Sequence, residues 1–442
     1  MAIVFWFRND LRVQDNEALA SAIDSGEAIT PVFVLPEGFS ELSEIRKSSL
    51  IASVNAIQSD FPISIAILQK HSDLVAAAKK IGAGKVIAMR AYDTTGMLLQ
   101  ANIAQELFQS GIALELVGSN YAVTPGTVLK DDGSPLRVYT PFYKRWSQFD
   151  PGRPIQASLE SAKWIEYQSG YELPIATKEI RAGEKFALET FAKFRKRALS
   201  KYSEGRNRMD QSGTSHLSHA LAHGEIHPRT LLVQLGDSPS EETFRKEICW
   251  REFYADVLFH NPHTLTDYYN EDFARMAYAD PEKDQELLDA WQQGKTGYPV
   301  VDAAMRQLLT TGWMHNRARM VVASFLVKDL HFEWQIGASW FEEHLTDFDP
   351  ASNAHGWQWT AGCGTDASPY YRVFNPILQG LKFDPNGDYV RKFVSELRHL
   401  EGASVHTPWE FIDGYSLGYP AQIVDHAKER DEALARLKAL KG

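Results

Sequence analysis

Residues 2–7, Ala-Ile-Val-Phe-Trp-Phe, are the first of five short apolar runs that decide the fold of this chain. The other runs are 29–35, 63–68, 85–90 and 112–117. Each run has the length of a buried strand, and segments with helical periodicity separate them near 16–25, 41–59, 71–82 and 95–110. This alternation predicts a doubly wound, parallel α/β sheet with helices on both faces.

The remainder of the chain changes character twice. Residues 129–190 carry turn clusters such as Asp150-Pro-Gly-Arg-Pro154 between weakly periodic segments, which is typical of a long connector at the surface. From about residue 190 the pattern is helical, and eight of the 11 tryptophans fall at or after position 250. We therefore predict an α/β domain over 1–128, a connector over 129–190 and an all-α domain over 191–442.

Composition excludes several classes of protein. No run of 18 apolar residues suggests a membrane span, and the start of the chain lacks the basic and apolar regions of a signal peptide, so we expect a cytoplasmic protein. Cys249 and Cys363 are the only cysteines, too few for a disulfide framework or a four-thiolate iron–sulfur cluster. The net charge of −11 means that any nucleic-acid surface must be a local basic patch.

Two motifs are similar to ligand-binding sites, but other features of the sequence argue against that function. Gly82-Ala-Gly84-Lys85 follows a helix and precedes a strand, the reverse of the order in a phosphate-binding loop, so Gly82 is interpreted as a helix C-cap. His216, His219 and His223 share one helical face, yet no carboxylate completes a zinc motif. Gly213-Thr-Ser, just before them, offers two hydroxyls ahead of a helix, an arrangement suited to phosphate. We predict no metal site.

The segment 353–376 is the most informative part of the helical region. Two tryptophans, Trp357 and Trp359, an amide, Asn353, and several small residues crowd into it without the periodicity of an ordinary helix. Further motifs occur at 8–12 (Arg-Asn-Asp-Leu-Arg), 213–218 (Gly-Thr-Ser-His-Leu-Ser), 250–254 (Trp-Arg-Glu-Phe-Tyr) and 296–307. Together these sequences resemble the photolyase/cryptochrome flavoproteins over the whole chain, and most of all the bacterial enzymes that repair cyclobutane pyrimidine dimers.

The resemblance implies an FAD site in the helical domain. Thr214-Ser-His-Leu-Ser218 matches the family loop that holds the FAD pyrophosphate, although the family normally has Arg in place of His216. Loss of that permanent charge would make FAD affinity sensitive to pH. The residues expected to contact FAD are Tyr202, Thr214, Ser215, His216, Leu217, Ser218, Arg319, Asp347, Phe348, Asp349 and Asn353.

Asp347, Asp349 and Asn353 also fit an acidic turn that caps a helix, and the neighbouring tryptophans favour the flavin interpretation. In the family, Arg319 pairs with Asp347, and the amide at the Asn353 position faces flavin N5. A neutral amide can bond N5 whether or not it carries a proton, which suits the reduced anionic FAD of a repair enzyme. Plant cryptochromes have Asp at this position and insect cryptochromes have Cys.

The tryptophans also imply a route for electrons. By default Trp334 and Trp357 are core residues of a helical domain, but they match the middle and flavin-proximal members of the family's tryptophan chain. Bacterial dimer photolyases usually have a third tryptophan before the segment that ends in Gly-Tyr-Pro; residues 271–290 contain none. Tyr278 is the readily oxidisable ring of that span, and we predict that it is the outer member of the chain.

A second set of residues is expected to read the lesion. Two tryptophan faces, Trp250 and Trp359, would replace the stacking that a flipped dimer loses, while Glu247 and Asn316 would reach the pyrimidine edges. Glu247 is expected to act in protonated form, because burial beside a developing anion raises its pKa. Met320 completes the set, and family members that act on (6–4) photoproducts carry a second histidine near Met314–Asn316, where this chain has only His315.

DNA damaged by ultraviolet light, single- or double-stranded, is the expected partner of a monomeric protein. By resemblance Arg206, Arg251, Arg317 and Arg372 touch its backbone or the lesion. The alternative is a cryptochrome-type light sensor without repair, against which stand Asn353, the lesion set and a chain that ends at Gly442 with no signalling tail. An electron-transfer flavoprotein of flavodoxin type leaves the segment 250–376 unexplained. The antenna pocket near Tyr92 could hold folate, a deazaflavin, a second flavin or nothing.

Overall fold

The computed structural model of the protein describes residues 2–366 and 371–440. Residues 367–370 of the predicted pocket segment 353–376 therefore lie outside the described residues. The chain divides into two compact units, Met1–Ser200 with Ser215–Pro262, and Lys201–Thr214 with His263–Gly442. The domain boundaries drawn from the sequence stay a prediction.

A parallel sheet of six strands lies at the core of the first unit. The strands are β1 (Ala2–Phe7), β2 (Ala28–Val34), β3 (Ala66–Leu68), β4 (Ala83–Met89), β5 (Ala113–Val117) and β6 (Lys163–Trp164). Their order is β3-β2-β1-β4-β5, with β6 also paired to β2. Phe5 and Phe7 belong to one apolar cluster, while Val4 and Trp6 belong to another. Because neighbouring side chains point to opposite faces of a sheet, both faces are covered, as predicted.

Four helices connect the first five strands: α1 (Glu17–Asp24), α2 (Glu44–Asp60), α3 (His71–Ile81) and α4 (Thr94–Gln109). Three of them start at a side-chain cap, from Asn16, Ser43 and Asp93. Gly82 ends α3 with a left-handed φ of 69°, which confirms it as a C-cap. The expectation that every predicted strand is buried is wrong for β5. Ala113 is exposed and the rest of β5 is partly exposed, because β5 forms an edge of the sheet.

The predicted connector, 129–190, holds α5 (Tyr139–Trp146), and its last residues lie in α6 (Glu184–Arg197). The expectation that the whole connector lies at the surface is wrong for α5, where Tyr139, Phe142 and Trp146 are buried. Four helices follow: α7 (Tyr202–Gly205), α8 (Ser218–Ala222), α9 (Pro228–Leu232) and α10 (Pro239–His260). The long helix α10 starts at a capping box between Ser238 and Glu241, with Pro239 in its first turn.

Helices make up most of the second unit, which confirms the all-α expectation for this part of the chain. Besides α7, they include α11 (Gln285–Gln293), α12 (Pro299–Thr311), α13 (Asn316–Lys328), α14 (Trp334–His344), α15 (Pro350–Ala361), α16 (Pro376–Phe383), α17 (Asp388–Phe393) and α18 (His426–Leu440). One apolar cluster runs through them, with fully buried residues on α12 and α13. No helix in the described residues combines the length and the apolar character of a membrane span.

The motif 296–307 has a structural role in this unit. Asp302 is fully buried and accepts hydrogen bonds from the backbone N–H groups of Thr296 and Gly297, from the Thr296 hydroxyl and from the Tyr419 phenol at 2.6–3.1 Å. Burial raises the pKa of this carboxyl. The motif therefore fixes the start of α12, and its role is structural.

Candidate active site

The residues predicted for the site fall into both units, and each unit is described by itself. The first unit holds Ser215, His216, Leu217, Ser218, Glu247, Trp250 and Arg251. The second holds Tyr202, Arg206, Thr214, Tyr278, Asn316, Arg317, Arg319, Met320, Trp334, Asp347, Phe348, Asp349, Asn353, Trp357, Trp359 and Arg372.

Asp347 is a buried carboxylate with one oxygen engaged. Its Oδ2 accepts a hydrogen bond from the Arg319 guanidinium at 2.6 Å, which confirms the predicted pair. Arg319 is oriented by a second bond, from its Nε to the Met314 carbonyl at 2.9 Å. The other oxygen, Oδ1, is buried and has no hydrogen-bond partner among the described residues. A buried carboxylate oxygen in this state is suited to accept a hydrogen bond from a ligand.

Asp349 and Asn353 begin helix α15. Asp349 is its N-cap and accepts from the Ser352 N–H at 2.8 Å, so the helix-capping interpretation is correct for this residue. One turn later, the Asn353 Nδ2 donates to the Ala338 carbonyl of α14 at 3.0 Å. That bond fixes the amide and directs its Oδ1, which is buried and without a partner in the described part of the chain, away from α14.

Trp357 and Trp334 are almost fully buried, with 2% and 1% exposure. Trp357 contacts Phe341 and Trp291 edge-on, with ring centroids 5.0 and 6.2 Å apart. Gly337 makes this packing possible, because a Cβ at that position would lie 2.1 Å from the Trp357 ring. Both indole N–H groups lack a hydrogen-bond partner among the described residues. The two tryptophans are core residues, and a role in electron transfer stays a prediction.

Tyr268 lies between Trp334 and the predicted outer member Tyr278. Its ring centroid is 6.3 Å from Trp334, edge-on, and 6.3 Å from Tyr278, stacked. The Tyr268 phenol donates to the Glu333 carboxylate at 2.9 Å, whereas the Tyr278 phenol donates to the Phe273 carbonyl at 3.0 Å. A carboxylate can take up a proton and a carbonyl cannot, so Tyr268 is the better placed of the two to lose a proton on oxidation.

The start of α13 presents three of the predicted lesion and DNA residues. Asn316 is exposed, and Arg317 and Met320 are partly exposed. Arg317 donates to the Asn207 side chain at 2.6 Å and lies over the Phe383 ring. His315 caps this end of the helix by accepting from the Arg317 N–H at 3.0 Å. On α15, Trp359 is partly exposed.

Helix α10 carries the other part of the lesion set. Glu247 and Trp250 are partly exposed, and Trp250 stacks on Tyr139 of α5. Arg251 donates to the carbonyls of Asn120 and Leu221 and lies over the Tyr121 ring. These contacts favour a structural role for Arg251, and its contact with DNA stays a prediction.

Residues 215–217 form an irregular segment that ends in the short helix α8. His216 is exposed and has a left-handed backbone with φ of 53°, which is uncommon outside glycine. His219 is engaged on both ring nitrogens, which lie 3.1 and 3.2 Å from the hydroxyls of Ser49 and Ser53 on α2. Within the described residues, no group of three or more His, Cys, Asp or Glu side chains is arranged to hold a metal.

Arg372 has an exposed side chain next to a buried anchor. Its backbone carbonyl accepts from the Lys328 ammonium at 2.5 Å, and that ammonium lies 4.2 Å from the centroid of the Tyr371 ring. One turn earlier on α13, Ser324 accepts from the Phe374 N–H at 3.2 Å. Burial lowers the pKa of Lys328 to about 7. The backbone that carries Arg372 is thus held at both ends while its guanidinium stays exposed.

Three aromatic residues that contact the predicted site residues were not predicted from the sequence. Tyr268 follows Asp267 in an irregular segment, Trp291 lies in α11 just after the span 271–290, and Tyr139 lies in the predicted connector. The only local signal was that each is aromatic, and aromatic side chains are ordinary in cores.

Comparison with known proteins finds matching family models and similar full-length relatives. The family model described as DNA photolyase matches residues 3–160, and the model described as FAD binding domain of DNA photolyase matches residues 244–439. A deoxyribodipyrimidine photo-lyase of Agrobacterium fabrum is 39% identical, with 99% of this chain and 98% of that protein covered.

Two solved structures are also similar. The crystal structure of a bacterial class III photolyase from Agrobacterium tumefaciens has a TM-score of 0.90 at 37% identity and covers 100% of this chain and 98% of its own. An archaeal photolyase from Sulfolobus tokodaii with two FAD molecules has a TM-score of 0.87 at 25% identity, covering 99% and 100%.

Proposed function

This chain belongs to the DNA photolyase family, and on that premise we propose that it is a deoxyribodipyrimidine photo-lyase that repairs cyclobutane pyrimidine dimers in DNA with light. Relatives with this name match over nearly their whole length, and they support repair over the cryptochrome-type alternative. Within the site, the observation that carries the proposal is the Asn353 amide, fixed by α14 and presenting an unused oxygen.

The described side chains fit FAD. Asp347 and Asn353 each offer a buried oxygen without a partner among the described residues, and both are held by a second contact that fixes their direction. Tyr202 is buried and Phe348 packs against the apolar cluster, so the surroundings are apolar as a flavin ring requires. We assign the flavin end to Tyr202, Arg319, Asp347, Phe348, Asp349 and Asn353, and the pyrophosphate to Thr214, Ser215, His216, Leu217 and Ser218.

When bound and reduced, FAD supplies the electron that blue or near-ultraviolet light transfers to the dimer and that returns after the cyclobutane ring opens. Asn353 offers the cofactor a hydrogen-bond acceptor. Its Nδ2 gives one of its two hydrogens to the Ala338 carbonyl, and its Oδ1 is buried without a partner among the described residues, which suits a flavin whose N5 carries hydrogen. Arg319 neutralises Asp347, which lets the carboxylate remain buried beside an anionic cofactor.

Lesion recognition is assigned to five residues. Trp359, Asn316 and Met320 contribute from the second unit, and Glu247 and Trp250 contribute from α10. The indoles replace base stacking, at about 1–3 kcal/mol per base. Asn316 and Glu247 bond the pyrimidine edges, and Glu247 donates as the neutral acid, so that it stabilises the negative charge that develops on the dimer.

DNA binding depends on local positive charge, since the chain carries −11 overall. Arg206, Arg251, Arg317 and Arg372 are the assigned contacts; Arg372 is exposed, whereas the other three are partly exposed. Two other arginines are neutralised locally, since Arg208 pairs with Asp210 and Arg245 pairs with Glu242. A monomer in the cytoplasm and an antenna chromophore of unknown identity complete the proposal.

Electrons that reduce the flavin are assigned to a chain from Trp357 to Trp334 and outward to Tyr278. Tyr268 supports this path, since it lies in ring contact with both Trp334 and Tyr278. Oxidation of Tyr268 would transfer its phenolic proton to Glu333 and leave a neutral tyrosyl radical.

The proposal is tested with two defined oligonucleotides, one with a thymine dimer and one with a (6–4) photoproduct. Illuminated protein with fully reduced FAD should restore the first and leave the second intact, as chromatography would show. Restoration of the (6–4) product, or of neither, would refute the assignment.

A further inference from the structure

Trp250 is already stacked on another ring of its own unit. Its indole lies parallel to the Tyr139 ring, with centroids 3.7 Å apart and an interplanar angle of 4°. At this separation and angle the rings lie face to face with little offset, so the two faces are in full contact. Tyr139 therefore covers one face of Trp250.

Helix α10 holds Tyr139 in turn. The Tyr139 phenol donates to the Lys246 carbonyl at 2.8 Å, one helical turn before Trp250. Phe253 contacts both rings edge-on, with centroids 5.8 Å from Tyr139 and 5.6 Å from Trp250. Tyr139 is 8% exposed while Trp250 remains partly exposed. The contacts of the indole with Tyr139 and Phe253 thus fix its plane and leave part of it accessible, while Lys246 and Phe253 hold Tyr139.

Two consequences follow for a base that stacks on Trp250. It must use the indole face opposite Tyr139, because that side is filled by a parallel ring. The indole also loses little side-chain freedom when the base arrives, since its orientation is set beforehand. Resting on the proposed function, we propose that Tyr139 is a positioning residue for lesion recognition, the inner member of a continuous stack of Tyr139, Trp250 and a base of the dimer.

The test is a double-mutant cycle in the dark, with dissociation constants for an oligonucleotide that carries one thymine dimer and for its undamaged counterpart. Tyr139→Leu should reduce the preference for damaged DNA about fivefold, within the range of roughly two- to twelvefold expected from the ordering of one side chain. In a Trp250→Leu background the same change should alter the preference less than twofold, because the ring that it positions is gone.

Conservative and control variants separate stacking from folding. Tyr139→Phe keeps the ring and should stay within twofold of the parent. Tyr139→Met is a second ring-less variant if the leucine variant does not fold, with FAD content and the thermal midpoint as the checks. Tyr143→Leu removes the next ring of α5, whose centroid is 6.1 Å from Tyr139, and should leave the preference unchanged.

Three results would overturn the inference: an unchanged preference in the folded ring-less variants, an equal loss in both backgrounds, or a loss above fivefold in Tyr139→Phe. A parent protein with no preference for damaged DNA would instead refute the proposed function.

Discussion

The loop from Arg8 to Asn16 and the segment from Asp347 to Trp357 both bury polar side chains, with opposite outcomes. In the first, Arg12 is fully buried and donates to the carbonyls of Asp15 and Gly224 and to Asn120 at 2.7–3.0 Å. In the second, oxygens of Asp347 and Asn353 and the indole nitrogen of Trp357 have no partner among the described residues. Both segments carry motifs of the family.

The difference separates two kinds of motif residue. A buried polar group without a partner costs free energy, so a folded protein retains it mainly where a ligand satisfies it. In the loop 8–16, nearly all buried polar groups have hydrogen-bond partners within the first unit, so the loop acts as a structural element. The segment 347–357 is incomplete without a ligand, which agrees with its assignment to FAD.

The largest effect is expected on photoreduction, which should depend on Trp357 of the second segment and on the aromatic residues that lead outward from it. Trp357→Phe and Trp334→Phe should abolish stable photoreduction from oxidised FAD while repair by chemically reduced protein continues. Tyr268→Phe and Tyr278→Phe should shorten the lifetime of the charge-separated state. Transient absorption measures all four, with Tyr269→Phe as the control for loss of a neighbouring phenol. If Tyr278→Phe behaves like the parent while Tyr268→Phe does not, the path ends at Tyr268.

The next largest effect is expected on stability, and it tests the structural role of the loop 8–16. Arg12→Met should lower the free energy of unfolding of the first unit by about 3–5 kcal/mol, because it leaves buried carbonyl acceptors without a donor and removes a positive charge beside the buried carboxylate of Asp10. Asn353→Ala in protein freed of FAD should cost only about 1 kcal/mol, the value of its bond to Ala338. Urea unfolding of both variants measures this contrast. Similar losses would remove the distinction between the segments.

Glu252 of α10 should make the stability of the first unit depend on pH. It is buried and accepts from the N–H groups of Ala122 and Val123 and from Trp146, yet burial raises its pKa to about 7. The folded form therefore holds a proton that the unfolded chain releases above about 4.5. The resulting stabilisation is present below pH 4.5 and is lost as pH rises through 7, by up to about 3 kcal/mol. Relative to Glu252→Gln, the parent should lose stability over this window; parallel curves would contradict the shift.

The smallest effect is expected on DNA binding and its dependence on salt. Arg372→Ala should weaken binding to damaged and undamaged DNA and reduce the slope of log K against log salt by about one. Arg208→Ala is the matched control, since Arg208 is paired with Asp210 and should leave the slope unchanged. A slope unaffected by Arg372→Ala would move the DNA surface elsewhere.

Local patterns predicted the sheet well, because apolar runs and their turn residues are close in sequence. The burial of β5 was wrong because an edge position depends on strand order, which no single strand encodes. The pair of Arg319 and Asp347 was predicted only through the family resemblance. Tyr139 and Trp250 were not connected at all, since their contact joins a helix inside an apparent connector to another helix more than a hundred residues later.

The sequence also could not show which motif residues find all their hydrogen-bond partners within the protein. The motifs at 8–12 and 353–376 read alike as family signatures, and only the partners of Arg12 and of Asn353 distinguish a structural loop from a ligand site.

The most direct test of light-driven repair is the number of dimers restored per reduced flavin. Chemically reduced protein is mixed with an excess of thymine-dimer oligonucleotide without oxygen or added reductant and illuminated with blue light. Because the electron returns after each ring opening, many dimers should be restored per flavin, the flavin should stay reduced, and nothing should happen in the dark. One dimer or fewer per flavin with the flavin oxidised, or restoration in the dark, would contradict the account.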